Sequence, residues 1–470
     1  LNQTNKAIAY LSKSAASKDS VSYYASYYLG ILYLKNGDKP LALNAFDYAR
    51  RVPHDPGVAE QAHFQFAKVS YDVGRTDQAI IEFEKFLAQY RNSAHTNEVK
   101  ELLAQAYVNG NDFAKAISYI ESLPSRNPQV QQAYQKATYL MGAEQFNKND
   151  YESAIRSFEK SLSHPRDNNY VALASLWAGE ASSILGRPEE AIRYYQKVIS
   201  ANPSDASLMA RARYGLGYAS YNMKDYERAM YNFREFVNKS SRGAANYADG
   251  LIRLADCYYV SKRYDDALAT YNNAKAAGSR DMDYVLLQTG IINGIKRNYG
   301  EARSQFTALI THYPKSPYRD EAMFQRAQFD IEQGNNEAAI EGLSQLIRES
   351  SNSKFLPYAY MRRASSYYNV GNYEKSVNDY AAVIKQFPNH PVAQELLLPL
   401  QEALRSAGRA SEFNTYLSEF KRLNPDNKGL EEVEFETAKN AFFDQQYPKA
   451  VVALNNFTAA YPQSTRIQEA

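Results

Sequence analysis

One spacing recurs along almost the whole chain and limits what it can fold into. A small residue opens an amphipathic segment, and an aromatic or aliphatic residue follows four positions later. The pairs are Ala42 with Phe46, Ala79 with Phe83, Ala116 with Ile120, Ala154 with Phe158, Ala191 with Tyr195, Ala229 with Phe233, Ala267 with Tyr271, Ala302 with Phe306, Ala339 with Leu343, Ser376 with Tyr380, the degenerate Phe413 with Leu417, and Ala450 with Leu454. Successive pairs begin 37, 37, 38, 37, 38, 38, 35, 37, 37, 37 and 37 residues apart. Self-similarity at such a period indicates a stacked repeat architecture.

A second small residue lies twelve positions before the first in most units. These residues are Gly30, Ala67, Ala104, Gly142, Ala178 with Gly179, Gly217, Ala255, Gly290, Ala327, Ala364 and Ala438. Because glycine inside a helix costs about 1 kcal/mol relative to alanine, they predict places where two helices approach closely. Turns rich in Asn, Gly and Asp, such as "NGDKP" and "VGNY", lie between the two small residues. Each unit therefore predicts a helix A, a tight turn and a helix B.

Three stretches carry a family resemblance. They are "YYLGILYLKNGDKPLALNAF", which ends at Phe46, "YGLGYASYNMKDYERAMYNF" at 214–233, and "WAGEASSILGRPEEAIRYYQKVISANP" at 177–203. They resemble the tetratricopeptide repeat family, whose signature includes Leu-Gly, a downstream Tyr, and then Ala, Phe and Pro. The resemblance covers essentially the whole chain. It implies an all-α fold, a right-handed α-solenoid of about twelve tandem helix pairs.

The repeat pattern divides the chain into four parts. They are a partial repeat with only helix B and a linker at 1–22, ten tandem units at 23–393, a degenerate unit at 394–430, and the last unit with the start of a truncated repeat at 431–470. The family repeat has about 34 residues, whereas these units mostly have 37 or 38. Pro399 inside the first helix of the degenerate unit predicts a kink or altered packing. Both ends resemble cuts within an array, which predicts a fragment of a longer array or an oligomer that covers the exposed solenoid ends.

Composition excludes several classes of partner. The formal net charge is +2, from 54 Lys and Arg against 52 Asp and Glu. A nucleic-acid-binding protein normally shows a strongly basic surface, so we predict no nucleic-acid partner. No run of about 18 apolar residues is present, which predicts that the chain makes no direct membrane span. The single cysteine, Cys257, permits no intrachain disulfide.

No catalytic pattern is legible. The six histidines show neither an HExxH motif nor paired helical spacing, and most belong to loops between units; they are His54, His63, His95, His164, His312 and His390. Cys257 lies in a helix A pattern without a basic neighbour, so we expect a packed thiol rather than a nucleophile. Nucleotide-binding and serine-hydrolase motifs are absent from the sequence. We predict no enzyme activity, catalytic residue, metal site or cofactor.

An aromatic stripe is the better candidate for function. In the resembled family, helices A line a concave groove that grips extended or helical peptides. The matching face here carries Tyr24, Tyr27, Phe64, Tyr71, Tyr139, Phe146, Tyr214, Tyr218, Tyr221, Tyr259, Tyr284, Phe324, Tyr358 and Tyr368. Tyrosine offers a large contact area with few rotatable bonds, which suits an interface. The alternative is packing between neighbouring repeats, which we expect for roughly half of these rings.

These features predict a non-catalytic scaffold that binds a partner protein or peptide in the groove. Long repeats with "YPKSP"-like loops are similar to those of bacterial outer-membrane assembly lipoproteins and periplasmic cell-division coordinators, which implies a periplasmic or outer-membrane-associated adaptor. Two alternatives remain open: the substrate-recognition arm of a larger enzyme, and a cytosolic co-chaperone or adaptor in the cytoplasm. The Lys/Asn clamp for acidic tails is absent as a set, with Arg211 alone at one of its places, which weighs against a chaperone-tail function.

Overall fold

The computed structural model describes residues 2–17, 19–52, 55–425 and 429–470. Within these ranges it contains 26 α-helices and one short 3-10 helix, and no strand. The chain separates into two compact units, unit 1 (Leu1–Ser261) and unit 2 (Lys262–Ala470). This arrangement of repeated helices confirms the predicted all-α solenoid class.

Unit 1 contains fourteen helices in the described residues. Helix B elements carry odd numbers from α1 to α13, and helix A elements carry even numbers. Their bounds are α1 Asn2–Ala15, α2 Ser20–Lys35, α3 Lys39–Ala49, α4 Pro56–Asp72, α5 Thr76–Gln89, α6 Thr96–Asn109, α7 Phe113–Ser122, α8 Pro128–Asn147, α9 Tyr151–Leu162, α10 Asn168–Ile184, α11 Pro188–Ala201, α12 Ala206–Asn222, α13 Tyr226–Lys239 and α14 Tyr247–Val260.

Unit 2 continues the alternation from a helix B, α15. One helix A is split into two pieces, α22 and α23, and a 3-10 helix at Ala410–Glu412 precedes α24. The bounds are α15 Tyr264–Ala276, α16 Met282–Ile295, α17 Tyr299–His312, α18 Arg319–Glu332, α19 Asn336–Glu349, α20 Leu356–Asn369, α21 Tyr373–Gln386, α22 Pro391–Glu395, α23 Leu397–Ser406, α24 Phe413–Leu423, α25 Glu431–Phe443 and α26 Tyr447–Ala460.

The small residues of helix A lie where a helix B ring packs against them. A Cβ atom built on Gly217 would lie 2.8 Å from Cδ1 of Phe233, and one on Gly30 would lie 2.6 Å from Cε1 of Phe46. Both distances are too short for a real contact, so only glycine allows the two helices to approach this closely. The predicted close approach is therefore confirmed at these positions.

The turns between helix A and helix B contain one residue in the left-handed conformation, with φ between 58° and 84°. These residues lie five positions before the residue that opens each helix B pattern; they are Gly37, Gly74, Asn111, Asn149, Gly186, Lys224, Lys262, Arg297, Gly334, Gly371, Gly408 and Gln445. Glycine and asparagine were expected in these turns. The four long side chains were not, because a left-handed conformation costs such residues roughly 1–2 kcal/mol.

The degenerate unit has the predicted kink. Helix α22 ends at Glu395, and α23 begins after Leu396. Pro399 explains this position, because a proline has no N–H and its ring clashes with the carbonyl group four residues earlier, here that of Glu395. Helical bonding resumes where Leu400 N–H donates to the Leu396 carbonyl oxygen at 2.8 Å. The division of the chain into units at 23, 394 and 431 stays a prediction.

Candidate protein-binding site

Helices A lie side by side and form one surface in each unit, which we call the helix A face. In unit 1, contacts join α2 to α4, α4 to α6, α6 to α8, α8 to α10 and α10 to α12. In unit 2, contacts join α16 to α18 and α18 to α20. Side chains from successive helices A therefore become neighbours although they lie more than 30 residues apart in sequence.

A cleft of about 400 Å³ opens on the helix A face of unit 1, and we call it the amide cleft. All of its lining residues belong to α4, α6, α8 and α10 or to the cap of α10. They are Tyr71, Gln105, Val108, Asn109, Gln129, Gln132, Ala133, Lys136, Asp167 and Tyr170. Val108 and Ala133 are buried and supply apolar surface, whereas Asn109, Gln129 and Gln132 are exposed. Four primary amides thus surround a small apolar patch, so this cleft is more polar than a typical small-molecule pocket.

Tyr71 links two of these amides. The Asn109 side-chain amide donates to the Tyr71 hydroxyl oxygen at 2.9 Å, and this hydroxyl donates to Oε1 of Gln105 at 3.3 Å. The bonds connect α4 to α6 and hold both amides in place. The hydroxyl group of a predicted site residue therefore positions its neighbours, while the ring remains half-buried.

Two charged residues of opposite sign line the amide cleft. Asp167 caps α10, where its carboxylate accepts from the Asn169 N–H at 2.8 Å. Lys136 lies on α8 and forms no salt bridge with any described residue. The formal charges of the lining residues cancel, so the lining has no net charge.

An aromatic cluster continues the helix A face beside the amide cleft. Tyr139 contacts Tyr170 with ring centroids 5.3 Å apart, and Phe146 contacts Trp177 at 4.9 Å. Each contact joins α8 to α10. Tyr139 and Phe146 also pack on helix B rings, and both stay half-buried. These two predicted residues therefore combine packing with a partly exposed surface.

Arg211 extends this cluster onto α12. Its guanidinium lies 4.7 Å from the Trp177 ring centroid, and its Nη2 atom lies 3.6 Å from Oε1 of Glu180. Burial raises the pKa of the Glu180 carboxyl group, and the nearby guanidinium opposes this shift. Both contacts fix the Arg211 side chain in the surface instead of leaving it available as an isolated cation.

Tyr214 and Tyr218 share one carboxylate partner. Their hydroxyl groups donate to Oδ2 of Asp249 on α14 at 2.7 and 2.6 Å, and Nε of Arg253 donates to the Tyr218 hydroxyl oxygen at 2.9 Å. Burial, together with the Asp249 carboxylate, raises the pKa of both phenols. These hydroxyl groups are engaged within the protein, so a partner meets mainly the ring surfaces.

The remaining predicted residues of unit 1 differ in exposure. Phe64 is only 2% exposed, so its ring offers almost no surface to a partner, whereas Tyr24, Tyr27, Tyr221 and Tyr259 are half-buried. Neighbouring side chains are Asp55, which accepts from Tyr24 at 3.0 Å, Phe46 beside Tyr27 at 6.0 Å, His95 stacked on Phe64 at 4.0 Å, and Tyr226 beside Tyr221 at 5.5 Å.

The four predicted residues of unit 2 also contact neighbouring side chains, and three of these neighbours are aromatic rings or a histidine ring. Tyr358 is 39% exposed, and Tyr284, Phe324 and Tyr368 are half-buried. Their neighbours are Tyr318 at 5.4 Å from Tyr284, Phe355 stacked on Phe324 at 5.3 Å, His390 at 5.1 Å from Tyr358, and Glu402, which accepts from Tyr368 at 3.3 Å. Rings of successive helices A thus meet across the junctions between repeats.

Sequence reasoning missed most of the amide cleft. It identified Tyr71 but none of the four amides, nor Lys136, Asp167 or Tyr170. Gln and Asn on exposed helix positions carry no signal of their own, since such residues are common on any helix surface. Trp177, the single tryptophan of the chain, could have indicated this surface, because Trp is enriched in interfaces.

The described ranges hold no cluster of three or more His, Cys, Asp or Glu side chains suited to a metal ion. In the same ranges, no helix has the length and apolarity needed to cross a bilayer. Cys257 is buried, as expected for a packed thiol, and burial raises its pKa to about 12. At neutral pH this thiol stays protonated and is a poor nucleophile.

Comparison with known families decides the classification. Sequence models described as tetratricopeptide repeat match residues 1–56, 64–130, 139–206, 185–245, 321–353 and 358–390. The chain belongs to the tetratricopeptide repeat family. Tetratricopeptide repeats form protein–protein interaction scaffolds, and the matched residues include most of the helix A face of unit 1.

The chain is also similar to a curated protein with a more specific name. The chain is 25% identical over 145 residues to the outer membrane protein assembly factor BamD of Xylella fastidiosa, strains 9a5c and Temecula1. The aligned part is 27% of this chain and 49% of each relative, so the chain spans about half the length of the curated relatives it matches.

Solved structures of tetratricopeptide repeat proteins are also similar. They include the C-terminal part of a TPR repeat-containing protein from Cytophaga hutchinsonii (TM-score 0.37, 18% identity, 53% of this chain and 95% of that chain). Another is a tetratricopeptide repeat protein from Parabacteroides merdae (TM-score 0.29, 18% identity, 58% and 98%). A third is described as the functional characterization of Pseudomonas aeruginosa pilF (TM-score 0.36, 16% identity, 47% and 95%).

Proposed function

We propose that the chain is a non-catalytic adaptor of the bacterial cell envelope, and that it holds a partner protein or peptide against its helix A faces. The observation that carries this proposal is the continuity of the face. Amide, tyrosine and phenylalanine side chains of successive helices A contact one another and remain partly exposed. A row of side chains packed against one another in this way offers large contact area at a low cost in side-chain entropy.

The envelope assignment draws on the similarity to BamD, whose name places it in outer membrane protein assembly. The experiment is fractionation of the source cells with an antibody against this chain. We expect the protein in the periplasmic or outer-membrane fraction. Recovery in the cytosolic fraction alone would overturn the envelope part of the proposal and leave the scaffold part in place.

The binding part is tested by co-purification from crosslinked source cells. Three single variants each remove one ring from a different stretch of the helix A face: Tyr71→Ala, Tyr221→Ala and Tyr358→Ala. The matched control is Tyr231→Ala, which removes a 46%-exposed ring from helix B α13. We expect at least one helix A variant to lose most of the partner, because interface tyrosines often contribute more than about 1 kcal/mol.

The control should retain its partner. If all three helix A variants keep the partner while they remain folded by circular dichroism, the helix A face is not the binding surface. Equal loss in the Tyr231→Ala variant would point to the helix B side instead.

A further inference from the structure

We propose that Arg326 binds a carboxylate group from outside the chain, in a slot between the helices B α17 and α19 of unit 2. The residues beside its guanidinium, Thr307 and Gly342, belong to these two helices, so the slot is separate from the helix A face. The inference does not depend on the function proposed above. It rests on a comparison with the next repeat, where an arginine at the same position has a carboxylate partner within the chain.

Arg363 of α20 is the arginine with an internal partner. Its Nε and Nη2 atoms donate to the two carboxylate oxygens of Asp379 on α21, both at 2.7 Å. Its Nη1 atom donates to the hydroxyl group of Ser344 on the preceding helix B, at 2.9 Å. Two parallel bonds of this kind are the strongest arrangement between a guanidinium and a carboxylate.

Arg326 has the same position one repeat earlier, but only half of these contacts. Its Nη1 atom donates to the hydroxyl group of Thr307 on the preceding helix B, at 3.4 Å. Asp379 lies three positions after the residue that opens its helix B pattern, and the equivalent residue on α19 is Gly342. The edge of the guanidinium that pairs with Asp379 in the next repeat therefore meets no carboxylate from α19.

The slot beside Gly342 has room for a ligand. A Cβ atom built on Gly342 would lie 3.7 Å from Cβ of Ala327 and 3.8 Å from Nη2 of Arg326, which are ordinary contact distances. A carboxylate oxygen that accepts from a guanidinium lies about 2.8 Å from the nitrogen atom. Nη2 of Arg326 is thus within reach of a carboxylate placed where the Asp379 side chain lies in the next repeat.

This position of helix A, directly before the small residue, normally belongs to the core. Leu29, Phe66 and Leu103 hold it in unit 1, and all three are buried. Arg326 is half-buried there, so its guanidinium has lost part of its hydration. A buried charge is costly unless it is paired and hydrogen-bonded.

Two carboxylates of the described residues lie near Arg326, and neither forms an ion pair with it. Asp330 is buried and pairs with Arg303 of α17. Glu341 is exposed on α19 and affects Arg326 only at a distance. Glu341 is therefore the one internal group that competes with an external ligand for the slot.

Burial acts on both arginines, with opposite results. It lowers the pKa of Arg326, and the nearby charges do not compensate. It also disfavours the charged form of Arg363, but the bonds to Asp379 outweigh it and raise the pKa of that guanidinium. A carboxylate in the slot beside Gly342 would stabilise the charge of Arg326 in the same way.

The form of the slot indicates a single carboxylate. In the next repeat the same place holds one aspartate side chain, whose planar pair of oxygens matches the edge of the guanidinium. Two sources share this chemistry: a free small acid, and an acidic side chain of a partner protein. Thr307 and Glu341 at the rim are exposed, so both kinds of ligand can approach from the helix B side.

The test follows saturation transfer by NMR from the whole chain to the methyl protons of acetate at neutral pH. We expect a saturable signal with a dissociation constant of roughly 1–20 mM, as for a small ligand with one ion pair. Arg326→Gln should abolish it, and Gly342→Asp should abolish it as well because an internal carboxylate then fills the slot. The matched control is Arg348→Gln, which removes a 70%-exposed guanidinium from α19 and should bind acetate like the parent.

Thermal unfolding checks that Gly342→Asp pairs with Arg326 and does not merely disturb the fold. The midpoint temperature of Gly342→Asp should lie about 1–3 °C above that of Gly342→Asn. The two side chains have the same size and almost the same helix propensity, so the difference reports the new ion pair. An equal or lower midpoint in Gly342→Asp would mean that the slot does not hold a carboxylate against Arg326.

Co-purification from crosslinked source cells separates the two sources. A partner protein that is retained by Arg348→Gln and lost with both Arg326→Gln and Gly342→Asp would identify an acidic side chain of that partner. Acetate binding without any such loss would identify a free small acid. Both results support the carboxylate site and differ only in where the carboxylate comes from.

Three results would overturn the inference. They are the absence of a saturable acetate signal, a signal that persists in Arg326→Gln, and binding of acetate to Glu341→Gln but not to the parent chain. The last would show that Glu341 fills the slot from within. None of them bears on the helix A face, whose variants Tyr71→Ala, Tyr221→Ala and Tyr358→Ala test the proposed function separately.

Discussion

Unit 1 and unit 2 use the same repeat spacing, yet they present different chemistry on the helix A face. Unit 1 offers the amide cleft around Gln132 and Tyr71 next to an aromatic cluster, whereas unit 2 offers the stacked rings of Phe324 and Phe355 beside exposed Tyr358. The spacing is set by the buried contacts and the turns, which recur in both units. Surface side chains are therefore free to vary without changing the fold.

The two units also differ in how they bury charge between helices. In unit 1, Oε2 of Glu82 accepts from Arg50 at 2.7 Å and lies 2.9 Å from Nε2 of His63. In unit 2, Arg363 donates twice to Asp379, at 2.7 Å in each bond. Only the cluster of unit 1 contains a group whose ordinary pKa lies near neutrality.

A third difference lies at one position of the repeat, twelve residues before the residue that opens the helix B pattern. Gly217 occupies it in unit 1 and lies against Phe233. Half-buried Gln401 occupies it in the degenerate pair of unit 2, where it donates to Thr437 at 3.3 Å. Buried Phe413 takes the place of the small residue there. Larger side chains therefore occupy both small-residue positions of the degenerate pair, and its helix A is split.

The largest expected effect concerns this last difference, between Gly217 and Gln401. Gly217→Leu places a branched side chain where a single Cβ already lies 2.8 Å from Phe233, so we expect a loss of about 3 kcal/mol or more in the free energy of unfolding. Gln401→Leu removes one weak hydrogen bond and should cost no more than about 1 kcal/mol. Urea unfolding of the whole chain, with hydrogen exchange to locate the change, measures both. Similar losses in the two variants would mean that the degenerate pair packs like a regular one.

A smaller effect is a change of stability with pH, which should differ between the two buried charged clusters. Burial lowers the pKa of His63 and outweighs the opposing pull of Glu82. In the unfolded chain the same group has a pKa of about 6.5. As pH falls below this value, the unfolded state binds a proton that folded unit 1 does not, so the stability of unit 1 decreases. Hydrogen exchange protection of α4 and α5 should fall between pH 7 and pH 5.

Unit 2 should respond in the opposite sense. Burial raises the pKa of Asp379, although Arg363 opposes the shift, so the folded state binds a proton before the unfolded state does. Protection of α20 and α21 should therefore hold as pH falls from 7 to 5.

The His63→Gln variant should lose the pH dependence of α4 and α5. Persistence of that dependence in the variant would assign it to another group.

The sequence predicted the buried contacts between helices well, and the reason is physical. Glycine inside a helix lowers stability unless a close contact requires it. Gly30 and Gly217 therefore predicted the close contacts between helices. The turns at Lys224, Lys262, Arg297 and Gln445 were predicted, but these residues did not indicate their left-handed conformation, which long side chains rarely adopt. Most histidines were expected in loops between units, whereas His63 is buried on α4.

The surface was harder to predict. Tyrosines on helix A were identified as a group, but their spacing does not tell whether a hydroxyl group meets solvent or, as in Tyr214 and Tyr218, a carboxylate of the next helix A. The amide cleft joins residues as far apart as Tyr71 and Tyr170. Only the stacking of four helices A brings them together, so no local pattern marks them. The binding site therefore stays a proposal.

The smallest expected effect tests whether the turns of the two units are equivalent. Lys224 and Gly371 occupy the same turn position, with φ of 62° and 78°. Lys224→Gly removes the strain of a Cβ in a left-handed conformation, which outweighs the added freedom of the unfolded chain, so stability should rise by about 0.5–1 kcal/mol. Gly371→Ala introduces that strain and should lower it by about 1 kcal/mol. The control is Lys197→Gly at an exposed position inside α11, where the backbone is helical and glycine should destabilise. If both lysine variants changed stability in the same direction, loss of the side chain, and not backbone conformation, would be the cause, and the shared turn geometry would not set the energy of the repeat.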